Sequence, residues 1–424
     1  MSSLPQNPFR VAIACGGTGG HFFPGVAVAE QLVRRGCDPT LLVSTKEVDR
    51  QVVQEIPSLE VVSLPAVGLM RGGELAFIRG FIRSYRAVKR LFKARPAQAV
   101  LAMGGFTSAP TILAGKRAGA RTFLHESNAV PGRANRWLSR LVDGAFVGYP
   151  VAAGRLRQRH VVVTGTPVRS CFQARRAADC RAQLGLNPER PVLLVMGGSQ
   201  GARGINELVM QSLPQLAGRG PEWQWIHLTG PSDAHKVSRA YAAVQLKAAV
   251  HPFLAAMDVV LAAATAAVCR AGASSLAELA AMRVPAVLVP YPAAADNHQF
   301  HNARALEATG AAYLLEERSA TPEILVQLLS VLVEKRALYE KMQGALAQWH
   351  TAQAAEEIAK AMLVFVGAKP GRDLGTDRLL ASSSGADTMD APLNLRHSRP
   401  LMPARTPRYH SVARQTTQPA GRGA

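Results

Sequence analysis

Apolar and polar positions along this chain follow two registers that take turns. Short apolar runs, VAIA (11–14), TLLVS (40–44), AVLAMGG (99–105), RTFLHES (121–127) and GAFVGY (144–149), alternate with longer amphipathic stretches, the first reaching about Arg35. Strands that read as near-continuous apolar runs are buried on both faces, so the rhythm predicts a parallel sheet covered by helices. It restarts after HVVVTGTPVRS (160–170), with VLLVMGGSQGARG (192–204), WQWIHLTG (223–230), AAVCRAGASS (266–275) and PAVLVPYP (285–292). Each half opens with a strand running into a glycine-rich turn and then a helix. The pattern predicts an α/β protein of two Rossmann-like domains joined near residues 165–190. A last helix, TAQAAEEIAKAMLVFV (351–366), closes the folded part and is free to pack back on the first domain.

The expected boundaries are 1–168, 169–367 and a tail at 368–424. Length agrees, since 424 residues exceed one ordinary core at roughly 150 residues per domain. The tail is rich in Arg, Pro, Ser, Gly and Thr and lacks periodicity, so it buries too little apolar surface to order itself and is expected to be disordered. No uncharged apolar run reaches the roughly 18 residues of a membrane span, and MSSLPQNPFR does not resemble a signal peptide, which makes the cytoplasm the default location. Five scattered cysteines without a CxxC pair argue against a disulfide framework or a structural zinc site. The net charge of +20 points to an anionic partner.

Ligands of open α/β sheets bind beyond the carboxyl ends of the strands, where the polar exceptions of this chain fall. The first turn, CGGTGGHFFPG (15–25), departs from the dinucleotide fingerprint at Phe22, which disfavours an oxidoreductase. Such a turn with a helix behind it favours negative charge. His21 at the helix start is either a cap or packing residue or a general base, because its ordinary pKa lies near neutrality. The second turn, GGSQGARG (197–204), adds Ser199 to its backbone N–H groups but is no Walker A loop. In CRAGASSLAE (269–278) a helix is expected to start near Ser275. Glu278 then either closes a capping box with Ser275 or accepts hydrogen bonds from ribose hydroxyls. No D-x-D occurs, so a metal-chelated diphosphate is not suggested, and helix N-termini and arginine would stabilise a leaving diphosphate.

Seven motifs, GGTGGHFFPGVAVAE (16–30), MGGFTSAP (103–110), HESNAVPGRANRWL (125–138), TGTPVR (164–169), GGSQGARGIN (197–206), CRAGASSLAEL (269–279) and DNHQFHNA (296–303), together resemble, in order, the peptidoglycan-assembly N-acetylglucosaminyltransferases of glycosyltransferase family 28, which convert lipid I to lipid II. The resemblance implies a GT-B fold whose two domains face a central cleft, and inverting transfer from UDP-N-acetylglucosamine. The acceptor would be undecaprenyl-pyrophosphoryl-N-acetylmuramoyl-pentapeptide at the cytoplasmic face of the membrane. It implies no cofactor and no metal, and links to cell-wall and division machinery. By position, Thr18, Gly19 and Gly20 would lie near the acceptor pyrophosphate and donor, and Asn128 and Gln299 at the N-acetylglucosamine. Arg169 and Ser199 would lie near the diphosphate and Leu254, through its backbone, at the uracil, with Gln200 and Arg270 also binding substrate. Ala273, Ser274, Ser275, Leu276, Ala277 and Glu278 would hold phosphate and ribose. His21 would take the proton of the muramoyl C4 hydroxyl, with Glu126 as the competing base. Thr166 and Thr265 stand where similar enzymes have Asn and Asp, which puts local contacts in doubt.

Residues 74–95, ELAFIRGFIRSYRAVKRLFKAR, form the other concentration of basic charge. Ile78, Phe81, Tyr85, Val88 and Phe92 make one helical stripe. Arg79, Arg83, Arg86, Arg90 and Lys93 make a second about 100° away, and Phe77 and Ile82 widen the apolar surface. The segment is either an ordinary solvated helix or, given a lipid-borne acceptor, a peripheral contact with anionic membrane. No nucleic-acid motif accompanies it. The rival functions are a UDP-sugar transferase with another acceptor and a non-catalytic nucleotide-sugar binder.

Overall fold

The computed structural model describes residues 8–16, 19–44, 59–66, 73–198, 201–220 and 222–367; the tail at 368–424 lies outside them. The first series of apolar runs forms β1 (Arg10–Ala14), β2 (Asp38–Ser44), β3 (Glu60–Leu64), β4 (Ala99–Ala102), β5 (Arg121–Glu126), β6 (Gly144–Val147) and β7 (Val161–Val163). They make a seven-stranded sheet of order β3-β2-β1-β4-β5-β6-β7. The second series forms β8 (Val192–Met196), β9 (Gln224–Leu228), β10 (Ala248–His251), β11 (Ala266–Cys269), β12 (Ala286–Leu288) and β13 (Tyr313–Leu314), in the order β10-β9-β8-β11-β12-β13. Every pairing between these strands is parallel. All residues of β4, β6, β8, β9 and β11 are buried, as strands sandwiched between helices must be. In both sheets the order reverses beside the first strand of the series, β1 or β8, which is where such folds open a ligand crevice.

Seven helices position the site: α1 (Gly19–Val33), α2 (Glu74–Ala94), α3 (Arg133–Leu138), α4 (Arg203–Arg219), α5 (Ala273–Met282), α6 (His298–Ala308) and α7 (Ala354–Val366). The last belongs to the first sheet physically. Its Ala355, Ile358, Ala359, Met362 and Leu363 share one core with Ile13, Phe22, Val26 and Phe123, and Arg35 pairs with Glu356 at 2.9 Å. Burying an apolar helix stripe this way contributes about 1.5–3 kcal/mol per large side chain. The last described helix therefore returns from the second sheet and packs against the first.

α2 buries only part of the periodic apolar stripe. Gly80, Ser84, Val88 and Phe92 face inward, while Ile78 is exposed and Phe81 and Tyr85 are half-buried. The reason is close packing on the helix Ser108–Arg117, where a Cβ at Gly115 would stand 3.5 Å from the Phe92 ring. Small residues let two helix backbones approach, so the larger apolar side chains are turned outward.

Candidate active site

At the edge of the first sheet, His21 occupies the first turn of α1, half-buried, over the turn that follows β4. Gly104 and Gly105 there have φ +116° and +76°. A Cβ on Gly104 would lie 2.6 Å from His21 Nε2, and one on Gly105 2.4 Å from the Gly16 carbonyl. The two glycines supply a backbone that only glycine adopts readily and leave room for the imidazole. Behind it, His125 is fully buried. Its Nε2 meets the Gly165 carbonyl and its Nδ1 meets Ser127 Oγ, each at 3.1 Å. Since the carbonyl only accepts, Nε2 carries the proton and the serine hydroxyl donates to Nδ1. Burial, helped by the nearby His21, pushes the His125 pKa down to about 4.

Glu126, the next residue, is 2% exposed and fully engaged. Its Oε1 accepts from the Asn128 backbone N–H at 2.8 Å and from Asn128 Nδ2 at 3.0 Å. Its Oε2 accepts from the Gly132 N–H and from Asn135 Nδ2, both at 2.9 Å. Four donors on two oxygens satisfy a buried carboxylate and fold residues 126–135 around it.

From this loop a polar seam crosses to the second sheet. Asn302 of α6, fully buried, donates through Nδ2 to Asn128 Oδ1 at 3.0 Å and to the Ala271 carbonyl at 3.2 Å. Its Oδ1 accepts from the Ala129 N–H at 2.9 Å. Gln299 Oε1 accepts from the N–H groups of Ala271 and Tyr291, which ties together the loops after β11 and β12. Arg136 of α3 pairs with Asp296 at 2.7 Å. Ser274 Oγ donates to the Gly20 carbonyl at 3.0 Å, which links the start of α5 to the residue before His21.

On the second sheet, α5 starts at Ala273 with Gly272 as its N-cap and no side-chain cap. The capping-box alternative for Ser275 and Glu278 does not form, because the helix starts two residues before Ser275 and puts it inside the first turn. The first N–H groups of α5 are left for an anion. Glu278, half-buried one turn on, has its pKa raised to about 7 by burial, against the lowering effect of Arg169. The Arg169 guanidinium is stacked 4.2 Å over the Phe23 ring and 5.2 Å from that of Phe172, a cation–π arrangement that fixes its plane. Arg270 has the contacts of a clamp instead. Its NH1 donates to the Val289 and Pro290 carbonyls and pairs with Glu317 at 2.5 Å.

The expected departures have local work as well: Thr265 Oγ1 accepts from the Val192 N–H and from Arg181, both at 3.1 Å. Thr18, Ser199 and Gln200 lie outside the described residues. Leu254 follows β10, half-buried against the larger core.

The chain is similar to known proteins over most of its length. Residues 11–147 match the glycosyltransferase family 28 N-terminal domain and residues 192–362 the glycosyltransferase family 28 C-terminal domain. A protein of Anaeromyxobacter sp. (strain K) is 36% identical over 377 residues, covering 87% of this chain and 96% of its own. It is named UDP-N-acetylglucosamine--N-acetylmuramyl-(pentapeptide) pyrophosphoryl-undecaprenol N-acetylglucosamine transferase. A protein of the same name from Syntrophus aciditrophicus (strain SB) is 33% identical over 363 residues, 84% of this chain and 99% of that one. The chain belongs to glycosyltransferase family 28. A solved structure of MurG from Acinetobacter baumannii is similar with a TM-score of 0.65 and 28% identity, covering 84% of this chain and all of that one.

Within the family 28 framework, the fold gathers His21, Glu126, Asn128, Gln299 and the start of α5 along the facing edges, linked by the hydrogen bonds above. Sequence reasoning passed over Asn302, His125 and the two rings that carry Arg169. Asn302 lies in DNHQFHNA, three residues past Gln299, and a polar residue inside a helical apolar pattern was its only local signal. Phe23 lies inside the first glycine-turn motif and Phe172 three residues past Arg169, and stacking on a guanidinium leaves no mark in a hydropathy pattern.

The exposed face of α2 carries Leu75 at 73%, Ile78 at 50% and Ile82 at 42% exposure, with Arg79, Arg83 and Arg86 exposed beside them and Phe77 and Phe81 half-buried. No described helix of this family 28 chain is long and apolar enough to cross a membrane.

Proposed function

We propose that this enzyme transfers N-acetylglucosamine from UDP-N-acetylglucosamine to the C4 hydroxyl of the muramoyl sugar in lipid I, with inversion. The observation that carries the reading is the Ser274–Gly20 hydrogen bond of 3.0 Å. It sets the anion-seeking start of α5 beside the turn that holds His21. A diphosphate at α5 and a sugar hydroxyl at His21 then share one small volume.

In this reading His21 removes the hydroxyl proton as the oxygen attacks the anomeric carbon, and UDP leaves from the opposite face. Such general-base assistance supplies about 10²–10⁴-fold. The first N–H groups of α5 and the stacked Arg169 take the developing diphosphate charge, while Glu278 accepts from ribose hydroxyls and Leu254 meets the uracil. The saturation of Glu126 by four donors favours His21 as the base, with Glu126 shaping the loop that presents Asn128.

The exposed face of α2 supports peripheral docking on anionic lipid. Leu75, Ile78 and Ile82 would enter the headgroup boundary and the three arginines would meet phosphate, each worth about 1 kcal/mol near the surface. Liposome flotation checks this: binding should rise with anionic lipid and fall with salt, and indifference to both would reject the electrostatic part. The transferase reading is checked by UDP release with and without a short-chain lipid I analogue. Release that needs the analogue supports it, and release with an unrelated acceptor only would replace it by the rival transferase.

A further inference from the structure

Beneath the second glycine turn lies a buried polar cluster that touches none of the expected donor contacts directly. Asn206, in the first turn of α4, is 1% exposed. Its Nδ2 donates to the Thr229 carbonyl at 3.0 Å and to Asp233 Oδ2 at 2.8 Å. His227 Nε2 donates to Asn206 Oδ1 at 3.0 Å, and the Tyr241 hydroxyl donates to His227 Nδ1 at 3.2 Å. Burial pushes the His227 pKa down to about 3, so this order of donors and acceptors holds at ordinary pH. Asn206 thus uses both amide hydrogens and its oxygen, which no apolar side chain of its size can do.

What the cluster holds lies on two sides. Gly201, which closes the turn by donating to the Gly198 carbonyl at 2.8 Å, packs so closely on Thr229 that a Cβ would come 2.1 Å from its carbonyl oxygen. On the other side the Thr229 N–H donates to the His251 carbonyl at 3.0 Å and the Gly230 N–H to Pro252 at 3.1 Å. Pro252 precedes Phe253 and Leu254, the segment that the proposed function assigns to the base. Thr229 therefore couples Gly201, at the close of the second glycine turn, to the segment at 252–254, and Asn206 pins Thr229.

We propose that Asn206 is a positioning residue that sets the spacing between the diphosphate turn and the base-contact segment, so that one uridine diphosphate spans both. The inference rests on the reading of the second domain as the UDP-sugar site. Binding of uridine and of UDP to the full chain, measured by ligand-detected NMR and calorimetry, separates spacing from general damage. Asn206→Ala and Gly201→Ala should each weaken UDP at least tenfold while uridine changes less than twofold. The swapped pair Asn206→Asp with Asp233→Asn, which restores one side-chain hydrogen bond in reverse, should bind UDP more tightly than Asn206→Asp alone. Equal loss of uridine and UDP, or UDP affinity unchanged in folded variants, overturns the inference. Wild-type protein that binds no UDP overturns the donor-site reading and this inference with it. If Asn206→Ala does not fold, the comparison of Asn206→Asp with the swapped pair decides: UDP affinity that the swap leaves no better than in Asn206→Asp alone overturns the inference.

Discussion

At the edge of the first sheet the buried Glu126 carboxylate and His125 imidazole have their hydrogen bonds met, whereas at the edge of the second a charged group is held near its titration point. Glu126 takes four hydrogen bonds and His125 two, with His21 standing half-buried in front of them over bare glycine backbone. Across the cleft, Glu278 has a pKa near 7 and α5 begins without a side-chain cap. The difference suits two tasks. A base must be aimed by rigid neighbours, which a saturated network provides, while a site for a diphosphate must keep donors unspent until the ligand arrives.

The sharpest way to break this division is His21→Ala. It should lower kcat by about 10²–10⁴-fold with the donor Kd unchanged, in steady-state kinetics paired with calorimetry; an equal loss of donor affinity would merge the two edges into one site. Next comes Glu126→Gln, which sets an NH2 group against two N–H donors. Leaving buried donors unmet costs about 1–3 kcal/mol, so thermal stability and kcat should both fall, the latter by about 5- to 150-fold. A variant with normal stability and no kcat would instead make Glu126 a proton acceptor.

The second edge is sharpened by pH. If the Glu278 carboxylate receives ribose hydroxyls, binding needs its ionised form, so UDP-N-acetylglucosamine should bind up to about tenfold more weakly per pH unit below about 7 and level off above it. Glu278→Gln should remove that dependence. The smallest effect concerns stability. His125 and His227 have native pKa values of about 4 and 3, below the ordinary 6.5, so the unfolded chain binds more protons between these limits. Their stabilisation is present above about pH 6.5 and lost as pH falls, at about 1.4 kcal/mol per pH unit for each. Glu278, whose raised pKa makes the native state the better proton binder between about 4.5 and 7, opposes one of them. Chemical denaturation should therefore show a net slope near that of one group, and Glu278→Gln should steepen it.

Much of this molecule was legible in local patterns. The apolar runs became strands because a strand buried on both faces must be apolar throughout, and the strand-turn-helix signals put His21 and the start of α5 at sheet edges. The inward face of α2 was not legible for a physical reason. Periodicity gives the angle between two stripes but not which one meets a neighbour, and here the neighbour selects Gly80 and Ser84 for closeness over Ile78 for size. The capping-box alternative fails similarly: Ser275 and Glu278 have the spacing, yet the turn at Gly272 already starts the helix.

By itself, then, the sequence determined the two parallel sheets, the glycine turns and the family, all of which depend on residues within one turn or strand of each other. Only the tertiary structure decided that Asn302 would meet Asn128, 174 positions away, that Ser274 would meet Gly20, 254 away, and that Phe23 would carry Arg169. Such pairs depend on the packing of whole elements, and a hydrogen bond or ring stack across that distance constrains neither residue's immediate neighbours in the chain.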